Sequence, residues 1–359
     1  MDLLHQALEI VRGMPPDDPD RSHPMLAVLP AMGAMFANDD EAAIGHAREL
    51  QDQPDPWVRA VARSMLGGLL VNLGEADRAE VEFDAALAAF RQLGERWGLG
   101  QVLVARAELS AARGRHADAV AAIEEAREAF VGLGDREDVG QIMIRLAQER
   151  ARAGRFEQAR DDLARAGRIA DEVGAEDQKL FIRHTLADMA RLEGRLEEAR
   201  ELLDAAIAAF GEVGYPIEQR LALLLVSRAR VDLAAGDARG AGRWCDQALR
   251  TALSSRDRPV IARVVDLLAE VTLAAGDAGR AATLLGMAQV LRGMPVEADG
   301  DAARVRAAAR AALGGDRFGD AYRRGAALQR GAVLAQLVPG GDAGRATAAA
   351  ARPAPGDGR

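Results

Sequence analysis

The sequence contains a single cysteine, Cys245, and a single lysine, Lys179. One cysteine excludes an internal disulfide and any cysteine-based metal cluster. The only lysine lies in EDQKLF, so the phosphate-binding loop G-x-x-x-x-G-K-[ST] is absent. The sequence also has no G-x-S-x-G and no H-E-x-x-H motif, and its five histidines are scattered without metal-ligand spacing. We therefore predict a protein that is not an enzyme and needs neither a cofactor nor a metal.

Aromatic residues make up only 4% of the chain although 49% is hydrophobic, mostly Ala, Leu and Val. That composition favours closely packed helices over a β-sandwich. No run approaches the ~18 apolar residues that would cross a membrane, and the start, MDLLHQALEIV, lacks the basic region of a signal peptide. The formal net charge of −9 argues against direct nucleic-acid binding. A cytoplasmic protein without membrane contact is the prediction.

Glycine, in contrast, recurs at a regular interval. The repeat glycines are 40 to 42 residues apart, and four positions around each of them carry residues of constant size. Seven residues before the glycine is Gly or Ala, five after it is Ala, nine after it is a larger core residue, and twelve after it is Ala again. The glycines are Gly74, Gly114, Gly154, Gly194, Gly236 and Gly276, and the larger residues are Phe83, Ile123, Leu163, Leu203, Cys245 and Leu285.

This spacing predicts two antiparallel helices, A and B, joined at the glycine, which adopts a left-handed turn at little cost. Small residues on A and B let the two helix axes approach closely. One such pair cannot bury its apolar faces alone, so pairs must stack.

The small–x11–Ala–x3–large–x2–Ala pattern resembles the tetratricopeptide repeat family, although the usual period there is ~34 residues. The resemblance implies an all-α protein, a right-handed α-solenoid of about seven helix pairs with a C-terminal helical cap. The predicted domains are a lone helix and linker at 1–24, a remnant of a preceding repeat, then the superhelix at 25–293, the cap at 294–338 and a disordered tail at 339–359. A degenerate first pair has Asn38 in place of the glycine, and the cap is predicted as two helical stretches, 301–313 and 316–337.

The C-terminal part carries a second resemblance. The segments RAATLLGMAQVLRGM and RVRAAARAALGGDRFGDAYRRGAALQRGAVLAQL are similar to the C-terminal ends of large bacterial transcription regulators of the SARP and large LuxR types. That likeness implies the tetratricopeptide sensor of a signal-transduction protein that also has a STAND-type NTPase and a DNA-binding domain, both absent from this sequence. The matching residues are Leu284, Leu285, Gly286, Ala288, Leu313, Gly314, Phe318, Ala321, Tyr322, Gly325 and Leu328.

In tetratricopeptide arrays helix A lines the concave groove, so the resemblance implies a protein or peptide partner there, or a small-molecule effector. Arginines in the middle repeats could receive a carboxylate bidentately; alternatively, they form a solvated face neutralised by neighbouring acids. The groove candidates are Gln141, Gln148, Arg152, His184, Asp188, Arg191, Arg230, Arg263, Asp266 and Glu270. The leading hypothesis is the sensor or interaction module of such a regulator. A stand-alone adaptor or peptide-sensing regulator without a link to DNA binding is the alternative.

Overall fold

The computed structural model describes residues 10, 13–15, 23–36, 39–134, 136–210, 218–294 and 300–338. Most of the predicted lone helix at 1–24, Asn38 and the predicted disordered tail at 339–359 lie outside these residues. Within them the chain forms seventeen helices and no strand. The described residues fall into two compact units, one made of those up to residue 110 together with 117–134, and the other made of 111–116 together with those between 136 and 338.

The first unit contains helices that form three consecutive pairs. Helix α1 packs against α2, and α3 packs against α4. In the third pair the Cα of Gly100 faces the ring of Phe130, so helix A passes close to the aromatic side chain of helix B. The helices are α1 (Pro24–Phe36), α2 (Asp40–Leu50), α3 (Pro56–Asn72), α4 (Ala76–Leu93), α5 (Arg96–Ala112) and α6 (His116–Val131).

The second unit contains four further pairs and three cap helices. The A helices α7, α9, α11 and α13 each contact the next one, so they form one layer, and each packs against its own B helix. The pairs are α7 (Arg136–Arg152) with α8 (Phe156–Val173), α9 (Glu176–Leu192) with α10 (Leu196–Phe210), α11 (Glu218–Ala234) with α12 (Ala238–Ser255), and α13 (Arg258–Ala274) with α14 (Ala278–Arg292). The cap consists of α15 (Gly300–Leu313), α16 (Gly315–Ala326) and α17 (Arg330–Leu337).

The repeat positions explain these pairs. Both alanine positions of helix B are fully buried in all six regular repeats, and the larger residue between them is at most 5% exposed. All six repeat glycines have positive φ, as does the glycine at the end of several B helices, such as Gly94 and Gly174. The prediction of an all-α array of about seven helix pairs with a helical cap is confirmed, whereas the predicted domain boundaries stay a prediction.

One cap prediction was wrong. The stretch expected to be a single helix at 316–337 is divided into α16 and α17 by a turn at residues 327–329. The turn redirects the chain so that Val333 and Leu337 are buried in the same core as Phe318. No glycine or proline lies within residues 327–329, and the burial of Val333 and Leu337 gives a tertiary reason for the turn.

Candidate functional site

The A helices of the second unit carry a layer of polar side chains. We call this layer the A-helix surface and define it by His184, Asp188, Arg191, Arg230 and Glu270. Three predicted residues, His184, Asp188 and Arg191, lie at three- and four-residue intervals on α9 and therefore share one helix face. Arg230 lies on α11 and Glu270 on α13, so successive helices bring these groups into one region.

Two arginines of this surface converge on a single carboxylate. The Arg191 guanidinium donates from Nη1 to Oδ1 of Asp301 at 3.2 Å and from Nη2 to Oδ2 at 2.9 Å. Arg230 Nη1 lies 3.0 Å from the same Oδ2. The side chains of Asp301, Arg191 and Arg230 are 8%, 10% and 11% exposed. The carboxylate is thus held in a buried two-arginine clamp, the geometry in which charge-assisted hydrogen bonds are strong.

Acidic groups on the A helices balance this clamp. Arg230 Nε lies 3.3 Å from Oε2 of Glu270, and Arg191 Nε lies 3.9 Å from Oδ1 of Asp188. Asp301 also pairs with Arg304 on its own helix. The arginines therefore belong to a network of paired charges and not to an open cationic patch.

His184 extends the network along α9. Its Nε2 lies 2.8 Å from Oγ of Ser227 on α11 and 3.6 Å from Oδ2 of Asp188. Burial lowers the pKa of His184 below its ordinary value despite the nearby Asp188 carboxylate. Burial opposes ionisation of Asp188, but His184, Arg191 and a hydrogen bond from Ser227 prevail, and the pKa of this carboxyl lies below its usual range.

The Ser227, His184 and Asp188 side chains do not form a nucleophilic relay. In such a relay the serine and the carboxylate contact opposite ring nitrogens of the histidine. Here both oxygens approach Nε2, so Asp188 cannot orient the ring for proton transfer from Ser227. Ser227 is also only 5% exposed. The geometry suits a structural hydrogen-bond network better than acyl transfer.

Two other predicted residues have partners outside the clamp. Gln148 donates to Oγ1 of Thr185 at 3.2 Å, which links α7 to α9, and Arg152 pairs with Glu149 on its own helix. Gln141 is half-buried and Arg263 exposed. 

Asp266 differs most from its expected position. It is 2% exposed and pairs with Arg292 of α14, so its carboxylate stabilises its own helix pair. Helix α13 is buried along most of its length, which leaves little of it to face a groove.

A cavity of about 540 Å³ lies beside the network, between the start of α9 and the facing helix α11. We call it the Phe181 cavity. Its wall is mainly apolar, and the Arg220 guanidinium lies 4.1 Å above the Phe181 ring and 3.4 Å from Asp177. Burial lowers the pKa of Arg220. The rest of the apolar lining of the cavity comes from Val173, Leu180, Phe210, Leu223 and Leu224, and Glu137, Glu176 and His184 add polar groups.

Sequence reasoning missed Asp301 and Ser227. Asp301 is 110 positions from Arg191 and lies in the segment predicted only as a cap. Ser227 lies in a nearly continuous buried run of α11, where nothing in the spacing distinguishes it. A search for acids that could neutralise the A-helix arginines from outside the repeats could have indicated Asp301.

The described residues contain neither a membrane-spanning helix nor a metal-binding cluster. None of them is long and apolar enough to pass through a lipid bilayer. Among the described residues, no three His, Cys, Asp or Glu side chains are grouped in a way that could hold a metal ion.

No protein-family model and no curated protein matches this sequence. Several solved structures share its fold. A STAND protein with a tetratricopeptide repeat sensor from Pyrococcus horikoshii aligns over 81% of this chain at 17% identity and a TM-score of 0.54, and this chain spans 44% of its length. A Rap protein complexed with Competence and Sporulation Factor aligns over 94% of this chain and 93% of its own at 14% identity and a TM-score of 0.67. 

The Cut9–Hcn1 hetero-tetramer aligns over 90% of this chain and 52% of its own at 14% identity and a TM-score of 0.53. Identities this low show the fold and no more. The chain has a tetratricopeptide-repeat fold.

Proposed function

We propose that this protein is a binding module that takes a protein or peptide partner on the A-helix surface of its second unit. The observation that carries the proposal is the clamp, because Arg191 and Arg230, on successive helices, already hold one carboxylate. Two guanidinium groups in this arrangement discriminate for carboxylates by geometry as well as by charge. The fold supports the proposal, since the similar Rap structure is a complex with Competence and Sporulation Factor.

The module would act as the sensor of a larger STAND, SARP or LuxR-type bacterial transcriptional regulator. The C-terminal resemblance and the likeness to a STAND protein with a tetratricopeptide repeat sensor support this role. Partner binding would then bias an attached NTPase between resting and assembled states. The alternative is a cytoplasmic stand-alone adaptor or peptide-sensing regulator that does not act through DNA.

Affinity purification from the source organism tests the binding surface. The informative variant is Arg191→Gln/Arg230→Gln/Asp301→Asn, because the carboxylate held between the two arginines is neutralised together with them, and Glu270 and Asp188 remain partly exposed to solvent. A matched control is Arg136→Gln, which alters an exposed pair with Glu172. We expect wild type and control to retain the same partner, identified by mass spectrometry, and the triple variant to lose it. Equal retention by a folded triple variant would refute the proposed surface.

The DNA sequence upstream of the Met1 codon distinguishes the sensor of a larger regulator from a stand-alone adaptor. An in-frame extension that encodes an NTPase supports the sensor of a regulator. An in-frame stop codon followed by a ribosome-binding site supports the stand-alone adaptor.

A small-molecule effector is a second candidate, and the Phe181 cavity favours it. Its volume lies within the ~300–1,000 Å³ range of ligand pockets, and its walls are mostly apolar, with the Arg220 guanidinium and the carboxylates of Glu137, Glu176 and Asp177 at its polar side. A thermal-shift screen of small amphipathic compounds should find some that stabilise wild type but not Leu223→Trp, which fills the cavity. Compounds that stabilise both proteins equally would exclude this cavity as the site.

A further inference from the structure

We propose that helix α15 is an internal occupant of the A-helix surface, and that an acidic segment of the partner binds by displacing it. This inference rests on the proposed function and deepens it, because it names the chemistry of the partner and the device that controls access. In this arrangement Asp301 stands where a carboxylate of the partner would bind.

The contacts of Asp301 indicate what the clamp recognises. Both carboxylate oxygens are used: Oδ1 accepts from Arg191, while Oδ2 accepts from Arg191 and lies 3.0 Å from Arg230. A neutral amide could not satisfy two cations in this way, because one of its two polar atoms is a donor. The partner should therefore present an aspartate or a glutamate.

The backbone around Asp301 adds a second requirement. Asp301 lies in the first turn of α15, where a carboxylate also complements the positive end of the helix. The residues that follow are mainly alanine, so α15 approaches the unit with small side chains. A partner that reproduces this contact would be a helical segment with an acidic residue in its first turn and small residues after it.

Helix α15 is attached in a way that permits exchange. Its buried apolar side chains are only Ala302, Val305 and Ala309, and most of its remaining residues are exposed. Leu313, at its end, is partly buried against the core, and Arg306 meets Tyr322 of α16 through a hydrogen bond of 2.9 Å from Nη2 to the hydroxyl and through its guanidinium 5.1 Å from the ring centroid. The apolar contact that such a helix gives up is limited to Ala302, Val305, Ala309 and part of Leu313, and the ion pairs with Arg191 and Arg230 are regained by the incoming carboxylate.

Occupancy by α15 sets the apparent affinity of the surface. A partner binds only the fraction of molecules in which α15 is undocked, so its apparent dissociation constant rises as that fraction falls. Because α15 is tethered to the same chain, its effective concentration at the clamp is high. Weakening the Asp301 contact should therefore strengthen binding in trans.

The test uses the full chain and a fluorescein-labelled, N-acetylated peptide with the sequence of residues 300–313. Fluorescence anisotropy should give a Kd at least tenfold lower for the Asp301→Asn chain than for wild type. The matched control is Asp320→Asn, which removes an exposed acid that pairs with Arg323 on α16 and should leave the wild-type Kd. A peptide that itself carries the Asp301→Asn change should bind the Asp301→Asn chain at least tenfold more weakly than the unchanged peptide. The proposal would be overturned if the peptide bound the folded wild-type chain and the folded Asp301→Asn chain with equal Kd values.

Limited proteolysis gives an independent readout. Trypsin cuts after Arg304, Arg306 and Arg310 only where the backbone of α15 unfolds locally, and undocking of the helix should make such unfolding more frequent. Mass spectrometry should show cleavage at these positions at least tenfold faster in Asp301→Asn than in wild type or Asp320→Asn. Unchanged cleavage would show that the clamp does not hold α15 in place.

The two proposals fail in different ways. A partner whose binding survives loss of the arginine clamp contradicts the proposed binding surface. A partner that requires the clamp but binds wild type and Asp301→Asn equally contradicts only the internal-occupant proposal.

Discussion

Helices α15 and α16 are neighbours in the cap, yet they are attached by different physical means. Helix α16 meets α14 through backbone. A Cβ added at Gly325 would overlap the Thr283 carbonyl oxygen, and one added at Gly286 would overlap the Tyr322 carbonyl oxygen. Helix α15 is held instead by the carboxylate of Asp301 in the arginine clamp and by a few small apolar side chains.

This difference separates what is permanent from what can exchange. Close backbone packing depends on shape and is disrupted when a side chain is added at the contact. An ion pair can be taken over by any carboxylate in the same position. The cap therefore combines a helix that completes the core with a helix that can leave the polar surface.

Breaking the α14–α16 contact should have the largest effect. We expect Gly325→Leu to lower the free energy of unfolding by about 3 kcal/mol, because its side chain must displace backbone of α14. Urea denaturation followed by circular dichroism measures the loss. Gly331→Ala in α17 is the matched control, since a Cβ there meets nothing within 4 Å and should leave stability unchanged or slightly higher. Similar losses in both variants would show that α16 does not depend on close backbone contact.

The regular pairs should respond in the same way but less strongly. Ala199 is fully buried at the contact between α9 and α10. Ala199→Leu should overpack it and cost about 2 kcal/mol. Ala208→Leu changes an exposed alanine on the same helix and should be nearly neutral. A melting temperature unchanged by Ala199→Leu would contradict the assigned repeat register.

The end of helix α12 tests whether glycine is the preferred residue where a repeat helix ends in a left-handed turn. Its C-cap, Arg256, has φ of 57°, where most other helix ends with positive φ carry glycine. Arg256→Gly should raise the free energy of unfolding by about 1 kcal/mol by removing left-handed strain. Arg250→Gly, at an exposed position inside the same helix, should lower it by about 1 kcal/mol. A loss in both variants would mean that contacts of the Arg256 side chain outweigh the strain.

The polar surface should differ from the packed pairs in its response to pH. Burial lowers the pKa of His184, so the unfolded chain binds more protons than the native chain near the ordinary histidine pKa of about 6.5. Stability should fall as pH decreases from 7.5 to 5, and His184→Asn should flatten this fall. Asp188, with its lowered pKa, stays ionised in this range, and its contribution is lost only at lower pH.

Denaturant midpoints at several pH values measure the difference between the two chains. The four other histidines are common to both and cancel in the comparison. Parallel pH profiles for wild type and His184→Asn would show that the histidine is not held neutral by its surroundings.

The fold was largely predictable because its determinants are local. In each repeat the glycine ends helix A, and the alanines at fixed distances from that glycine decide which helix faces can touch. Arg256 shows the limit of that rule, since the structure imposes a left-handed turn on a residue that no sequence pattern selects for it. The division of 316–337 into two helices has the same origin in tertiary burial.

The candidate site was predictable only in part. The period placed His184, Asp188 and Arg191 on one face of α9, and it placed Arg230 of α11 at the repeat position that Asp188 occupies on α9. It did not place their partners, because Ser227 and Asp301 follow no repeat spacing. Asp266 shares its helix with Glu270, yet one carboxylate faces α14 and the other faces Arg230.

The sequence by itself determined that the chain forms stacked helix pairs, because helix periodicity, glycine turns and small-residue contacts act over distances of a few residues. Only the tertiary structure decided that Asp301 lies between Arg191 and Arg230. Charges pair according to distance in space, and that distance is set by how α15 packs on the unit. The order of residues along the chain does not specify this distance.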